Sequence, residues 1–175
     1  MHLHQTQPPA HSSGILATNT QLAVGYGSAI AILVMDLGTK AWVSAFTPLG
    51  WSQPITDFFN LVHVLNTGAA FSFLADAGAW SRYLLVAIAL AASIWLLAIL
   101  RKPMPLVESL GYGLVLGGAV GNGVDRARHG HVVDFLDFHW QGWHWPAFNI
   151  ADVGIVGGAA LLVCAALKAS AVQTR

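Results

Sequence analysis

Charge is scarce in this sequence: Asp, Glu, Lys and Arg make up only 9% of its 175 residues, against about 25% in an average soluble domain. So few charges cannot coat a water-facing surface of this size. The eight basic and eight acidic residues balance, which leaves no electrostatic footprint for a phosphate backbone and excludes DNA and RNA as expected partners. Cysteine is nearly absent. The single Cys164 excludes an intrachain disulfide and any multi-cysteine metal site, and its apolar neighbours suggest a packed, buried side chain. No internal repeat is present. What fills the sequence instead is apolar: 55% of it is hydrophobic.

That apolar content is concentrated in stretches long enough to cross a bilayer core, which takes about 20 residues of helix. Four such stretches centre on residues 22–38, 83–100, 106–124 and 150–167, and predict an all-α integral membrane protein with four spans at about 22–40, 82–100, 105–124 and 149–168. The membrane domain is then 21–170. Residues 1–20, rich in His, Pro, Ser and Gln, are expected to form a disordered tail, and 171–175 a short one. The first stretch is read as a retained span, because no Lys or Arg precedes it and no small-residue cleavage site follows. Arg101 and Lys102 between spans two and three, with Lys168 and Arg175 after span four, put those segments and both termini in the cytoplasm by the positive-inside rule. Lys40, Arg82, Arg126 and Arg128 at the opposite ends count against that orientation.

The outer side would receive residues 41–80 and 125–147. Trp42, Trp51, Phe58 and Phe59 in the first, and Trp140, Trp143 and Trp145 in the second, suit headgroup depth. Residues 61–65, Leu-Val-His-Val-Leu, predict a strand running into a turn at Asn66-Thr67-Gly68. A small β-rich platform and an interfacial loop are therefore expected on the helical bundle.

An acidic residue at the bilayer centre costs about 2.5–3.5 kcal/mol on insertion scales, so each one near a span calls for a reason. Asp36 and Lys40 are one helical turn apart and read as a structural ion pair. Gly117 and Gly121 offer a close-packing face, after which Asn122, Asp125 and Arg126 emerge together, with Arg126 able to grip a carboxylate through two hydrogen bonds. Asn149 and Asp152 have the spacing of a capping box at a helix start, which by itself accounts for Asp152. Asp134 has no such account, since Val132, Val133 and Phe135 around it suggest burial.

Several of these motifs, in this order, resemble the bacterial lipoprotein signal peptidases (signal peptidase type II). The residues that carry the resemblance are Asp36 with Lys40, Asn66-Thr67-Gly68-Ala69-Ala70-Phe71, Gly121-Asn122-Gly123-Val124-Asp125-Arg126, Val132-Val133-Asp134-Phe135 and Phe148-Asn149-Ile150-Ala151-Asp152. The resemblance implies an aspartic endopeptidase of the bacterial inner membrane that removes signal peptides from prolipoproteins, cutting before a cysteine that carries diacylglyceryl. It implies a monomer that uses no cofactor or metal and meets its lipid-bearing substrate at the periplasmic side. Asp134 and Asp152 map to the catalytic pair. Asn66, Gly68, Asn122, Asp125, Arg126 and Asn149 map to the polar shell around it, while Asp137 falls outside the motif.

Two carboxylates suffice for hydrolysis without a covalent intermediate, one taking a proton from water and the other protonating the leaving nitrogen. Held close, they share one proton, with the charge expected on Asp152 at its helix N-terminus and the proton on Asp134. Three other readings compete. A transporter or proton channel would relay protons along the acidic residues, a metal hydrolase would use His129, His131, His139 and His144 with Asp134 or Asp137, and a structural subunit would use none of them.

Overall fold

A computed structural model describes residues 17–68 and 79–173 of the chain. Residues 1–16, most of the expected N-terminal tail, lie outside the described residues, as do Ala69, Ala70 and Phe71 of the asparagine-led motif. Four helices are described, α1 (Asn19–Phe46), α2 (Ala79–Leu100), α3 (Leu106–His129) and α4 (Ile150–Gln173), with strands β1 (Ser52–Thr56), β2 (Phe59–Asn66), β3 (Val132–Trp140) and β4 (Trp143–His144). The strands form one antiparallel sheet in the order β1-β2-β3-β4. The expected small β platform is present, and larger than the single strand read from residues 61–65.

Local chemistry sets the helix ends. The Thr18 side chain accepts the Gln21 amide at 3.1 Å and starts α1, as an N-cap threonine does. Glu108 in the first turn of α3 and Arg126, Arg128 and His129 in its last turn oppose the helix dipole. Gly130, at φ 80°, ends α3 in the left-handed conformation that glycine adopts without a Cβ clash. Two boundaries differ from the sequence reading. The segment 41–46 continues α1 and 125–129 continues α3, where outer loops were expected. Helical hydrogen bonding persists until a residue stops it, here extended Thr47 before Pro48 and then Gly130.

Helix α3 is the centre of the bundle and packs against α1, α2 and α4. Its glycines permit this: a Cβ at Gly113 would collide with the Gly25 carbonyl of α1, and one at Gly118 with the Ala151 carbonyl of α4. Ala29, Leu96, Leu100 and Leu116 form one buried apolar cluster within the helices. Val43 with Val133 and Phe135 forms a second that seats the sheet on the end of α1.

The distribution of polarity is inverted relative to a water-soluble protein. Ile30, Val34, Ile88, Leu90, Ile94, Val156 and Val163 face outward, whereas Asp36, Lys40, Ser109, Asn122, Asp125 and Asn149 are buried. Such an apolar exterior requires an apolar solvent. Three helices, over Asn19–Phe46, Trp80–Leu100 and Ile150–Ala171, are long and apolar enough to cross a membrane. Helix α3 carries more charge, and much of its polar content is turned inward. Cys164, expected to be packed, is exposed on this outer surface, because α4 meets the bundle through Ala151, Gly154 and Gly158.

Candidate active site

The site begins with the first turn of α4. Asn149 is the N-cap residue and Asp152 stands three positions on. The Asp152 amide donates to Asn149 Oδ1 at 3.1 Å, and the Asn149 amide donates to Asp152 Oδ2 at 3.2 Å. This is the reciprocal capping arrangement that satisfies two N–H groups lacking helical partners. The capping account of Asp152 thus describes its geometry correctly, and the other carboxylate oxygen, Oδ1, accepts from Asn122 Nδ2 of α3 at 2.8 Å.

Asp134 approaches from β3 and is almost wholly buried, at 2% exposure. Its Oδ1 accepts from Asn149 Nδ2 at 2.6 Å, and its Oδ2 from Asn66 Nδ2 at 3.0 Å. Strand pairing explains the second bond. Asn66 pairs with Val132 and Val64 with Asp134, so Asn66 is the diagonal neighbour of Asp134 across the ladder. The Asn66 amide is oriented in turn by the Gly68 N–H, which donates to its Oδ1 at 3.0 Å. Asn149 therefore touches both aspartates, Asp134 through its side chain and Asp152 through its backbone.

Burial pushes the Asp134 carboxyl up from 3.8 to about 6; the Asn66 and Asn149 donors and the Lys40 charge pull it down, while the negative charge of Asp152 adds to the rise. A carboxyl placed there exchanges its proton close to neutral pH, which is what general acid and base work requires.

Asp36 and Lys40 belong to the same network rather than to a separate pair. Lys40 Nζ donates to Asp36 Oδ2 at 2.7 Å and to Asn122 Oδ1 at 3.0 Å. It also lies 2.9 Å from Asp125 Oδ2, a charge contact off the hydrogen-bond direction. Asp36 Oδ1 accepts the Ala151 amide at 2.9 Å, so α1 holds the start of α4 directly. Arg126 departs from the sequence expectation of a two-pronged carboxylate grip. Its Nη2 donates to the Gly68 carbonyl at 2.7 Å and its Nη1 to the Asn122 carbonyl at 3.4 Å, while Nε has no partner. The arginine ties the turn after β2 to α3 and leaves the aspartates to the asparagines.

Asp137 turns to other groups: Asn60 Nδ2 donates to it at 2.9 Å and His144 Nδ1 lies 2.9 Å away. The sequence groups His144 with Asp137 only as candidate metal ligands and does not single out Asn60; the three become neighbours through the pairing of β3 with β2 and β4. His139 stacks on His144, and His129 lies beside His131. Among the described residues, no three His, Cys, Asp or Glu side chains form a group that could hold a metal ion.

Comparison with known proteins bears on this arrangement. A family model described as signal peptidase (SPase) II matches residues 28–168. The chain is 48% identical over 147 residues to a lipoprotein signal peptidase of Shewanella amazonensis, covering 83% of this chain and 88% of that protein. It is 48% identical over 139 residues to one of Serratia marcescens, covering 79% and 82%. A solved bacterial membrane enzyme superposes with a TM-score of 0.76 at 28% identity, over 85% of this chain and 90% of that one. Another does so with a TM-score of 0.73 at 27% identity, over 89% and 97%. With its apolar helices and these membrane-enzyme neighbours the chain is a multi-pass membrane protein, and by the extent of these matches it belongs to the signal peptidase II family.

Proposed function

We propose that this chain is an aspartic endopeptidase in which Asp134 and Asp152 activate one water against the peptide bond before a diacylglyceryl-modified cysteine of a prolipoprotein. The observation that carries the reading is the double engagement of Asn149, which donates to Asp134 Oδ1 at 2.6 Å and to Asp152 Oδ2 at 3.2 Å. One residue thereby couples two carboxylates from different elements, and two coupled carboxylates are what metal-free hydrolysis needs.

The roles follow from the surroundings. Asp152 accepts two N–H bonds at the positive end of α4 and carries the negative charge, so it takes the proton of the attacking water. Asp134, held at about 6 chiefly by burial, carries the shared proton and delivers it to the leaving nitrogen. Asn66, Asn122 and Asn149 keep both carboxylates aimed, with Gly68 orienting Asn66 and Arg126 fixing the turn that holds Gly68. Asp36, Lys40 and Asp125 form the buried charge cluster beneath.

All four helices span the membrane in this reading, α3 included. Its polar residues are tolerated because it is enclosed by the other three helices and meets the site at its end. Both termini are cytoplasmic and flank the expected 21–170 membrane domain, with α1 starting two residues before it at Asn19 and α4 running three beyond it to Gln173, and the sheet lies on the periplasmic face of the inner membrane. Three of the four basic residues that counted against this orientation are engaged internally, while Arg128 is exposed. Lys40 lies in the charge cluster, Arg126 holds Gly68 and Arg82 donates to the Ala127 carbonyl at 2.6 Å. A site at the bilayer surface suits a substrate whose acyl chains stay in lipid while its backbone reaches polar groups, and a monomer contains every residue named.

The test is cleavage by the purified protein in detergent of two otherwise identical precursors, one bearing diacylglyceryl on its cysteine and one unmodified. Mass analysis should find a cut immediately before the modified cysteine and little turnover of the other precursor. Equal cleavage of both, or a cut elsewhere, would contradict the proposed specificity.

A further inference from the structure

We propose that Lys40 is a positioning residue for hydrolysis, acting through Asn122: it holds the Asn122 amide with its nitrogen toward Asp152, so that this carboxylate always meets a donor. The inference rests on the reading of Asp134 and Asp152 as the reacting pair and adds to it the residue that sets the pair's geometry from the neighbouring helix.

An asparagine amide has an oxygen that accepts and a nitrogen that donates, and a half-turn of the side chain exchanges them at little intrinsic cost. Asn122 faces Asp152, to which only its nitrogen is a useful neighbour. In the opposite orientation its oxygen would confront a carboxylate oxygen, in place of the side-chain bond that holds Asp152 Oδ1. What selects the working orientation is on the other side of the amide. Lys40 Nζ, a group with three donors and no acceptor, lies 3.0 Å from Asn122 Oδ1. Asn149 Nδ2 adds a longer contact to the same oxygen at 3.4 Å. With donors converging on Oδ1, turning the amide would set donor against donor and acceptor against acceptor.

Lys40 is itself fixed. It is 3% exposed and bound between Asp36 Oδ2 at 2.7 Å and Asp125 Oδ2 at 2.9 Å. One lysine thus joins two helices by charge, and beside its hydrogen bond to Asp36 it gives one to the amide. A purely structural ion pair would need only Asp36, one turn away on the same helix. The convergence on an amide that in turn contacts Asp152 is what separates a positioning role from charge balance.

The ammonium also contributes its field. Asp134 is faced by Lys40 from α1, Asn66 from β2, Asn149 and Asp152 from α4, and the charge of Arg126 from α3. Of these, Lys40 lowers the proton affinity of Asp134 by its charge. Its removal should therefore move the alkaline limb of the rate profile, where the acid Asp134 loses its proton, to higher pH, which mere loosening of the bundle would not do.

The experiment is a double-mutant cycle on the full chain in detergent with a diacylglyceryl-modified precursor, using Lys40→Met, Asn122→Ala and the two combined. Misplacing a reacting group by about 1 Å can cost on the order of 100-fold in rate. Each single variant should lose activity on that scale in kcat with KM nearly unchanged, and the combined variant should be no slower than the worse single one. Lys40→Gln, whose amide can still donate to Asn122, should recover part of kcat. Because Lys40→Met strands Asp36, Asp36→Asn/Lys40→Met serves where the single variant does not fold, with the same loss expected. Losses that multiply in the combined variant, or wild-type kcat in Lys40→Met or in its charge-balanced form, would overturn the inference. Asp134→Asn and Asp152→Asn are assayed beside them. Turnover surviving in either would defeat the reading of the pair itself, whereas multiplying losses with both inactive would defeat only the role of Lys40.

Discussion

Replacing Asp134 by Asn should make the folded protein relatively more stable as the pH rises. The Asp134 carboxyl is raised from 3.8 to about 6, with burial the largest cause. Between those values the folded chain keeps a proton that the unfolded chain has released. Folding is therefore linked to proton uptake, and stability falls as pH rises from about 4 through 6. A shift of about two units at about 1.36 kcal/mol each corresponds to a penalty of ~3 kcal/mol, reached above about pH 7. The amide of the Asp134→Asn variant cannot ionise and escapes it. The substitution has its own cost, since Asp134 accepts amide donors on both oxygens, from Asn149 and Asn66, and an asparagine can accept on only one. That mismatch is worth about 1–3 kcal/mol but does not vary with pH. The quantity to measure is therefore the difference in thermal stability between wild type and Asp134→Asn in detergent at pH 4, 6 and 8. It should move in favour of the variant by ~3 kcal/mol from pH 4 to pH 8, or about 6–12 °C on the scale of a chain this size. A difference that stays flat, or that moves in favour of wild type, would refute the reasoning.

Asn149→Ala removes an N-cap acceptor and a donor to a buried carboxylate; it should cost about 2–4 kcal/mol in thermal unfolding and move the alkaline limb of the rate profile to higher pH, because the donor it removes holds the proton affinity of the acid Asp134 down. At Gly113 an added Cβ would strike the Gly25 carbonyl, whereas nothing lies within 4 Å of one at Gly157. Gly113→Ala should therefore destabilise by about 1–3 kcal/mol and Gly157→Ala should leave the melting temperature unchanged. Gln21 donates to the Lys102 carbonyl at 2.7 Å and accepts the Met104 amide at 3.2 Å, bracing the turn between α2 and α3. Gln21→Ala should lower stability by about 1–3 kcal/mol without moving the pH dependence of cleavage, since the site is at the far end of the bundle.

Hydropathy made the apolar helices legible, because lipid contact imposes a run of apolar residues that depends little on tertiary detail. Helix α3 shows the limit: its glycines announced close packing, yet its place between α1, α2 and α4 is visible only once the Gly25, Ala29 and Ala151 carbonyls are seen against it. Spacing alone reveals contacts within an element. The Asp36 and Lys40 pairing and the Asn149 and Asp152 cap were readable because each spans one helical turn. Lys40 against Asn122, 82 residues apart, and Asn66 against Asp134, 68 apart, depend on how helices and strands assemble, and no periodicity encodes that. Strand β3 escaped for a related reason. Along Val132–Trp140 buried residues run consecutively from Val132 to Phe135 before alternation begins, since one end is enclosed by the bundle and the other projects beyond it. The chemistry of Arg126 suits a carboxylate, but asparagines occupy the aspartates and the arginine reaches the Gly68 carbonyl instead.

The most direct test of the two-aspartate mechanism compares wild type, Asp134→Asn and Asp152→Asn for single-turnover cleavage of a diacylglyceryl-modified precursor, with binding of the same precursor measured in parallel. Each substitution removes the exchangeable carboxyl proton while keeping nearly the same shape. Both variants should bind the precursor about as wild type does and release no signal peptide. Cleavage at an appreciable rate by either folded variant would contradict the mechanism.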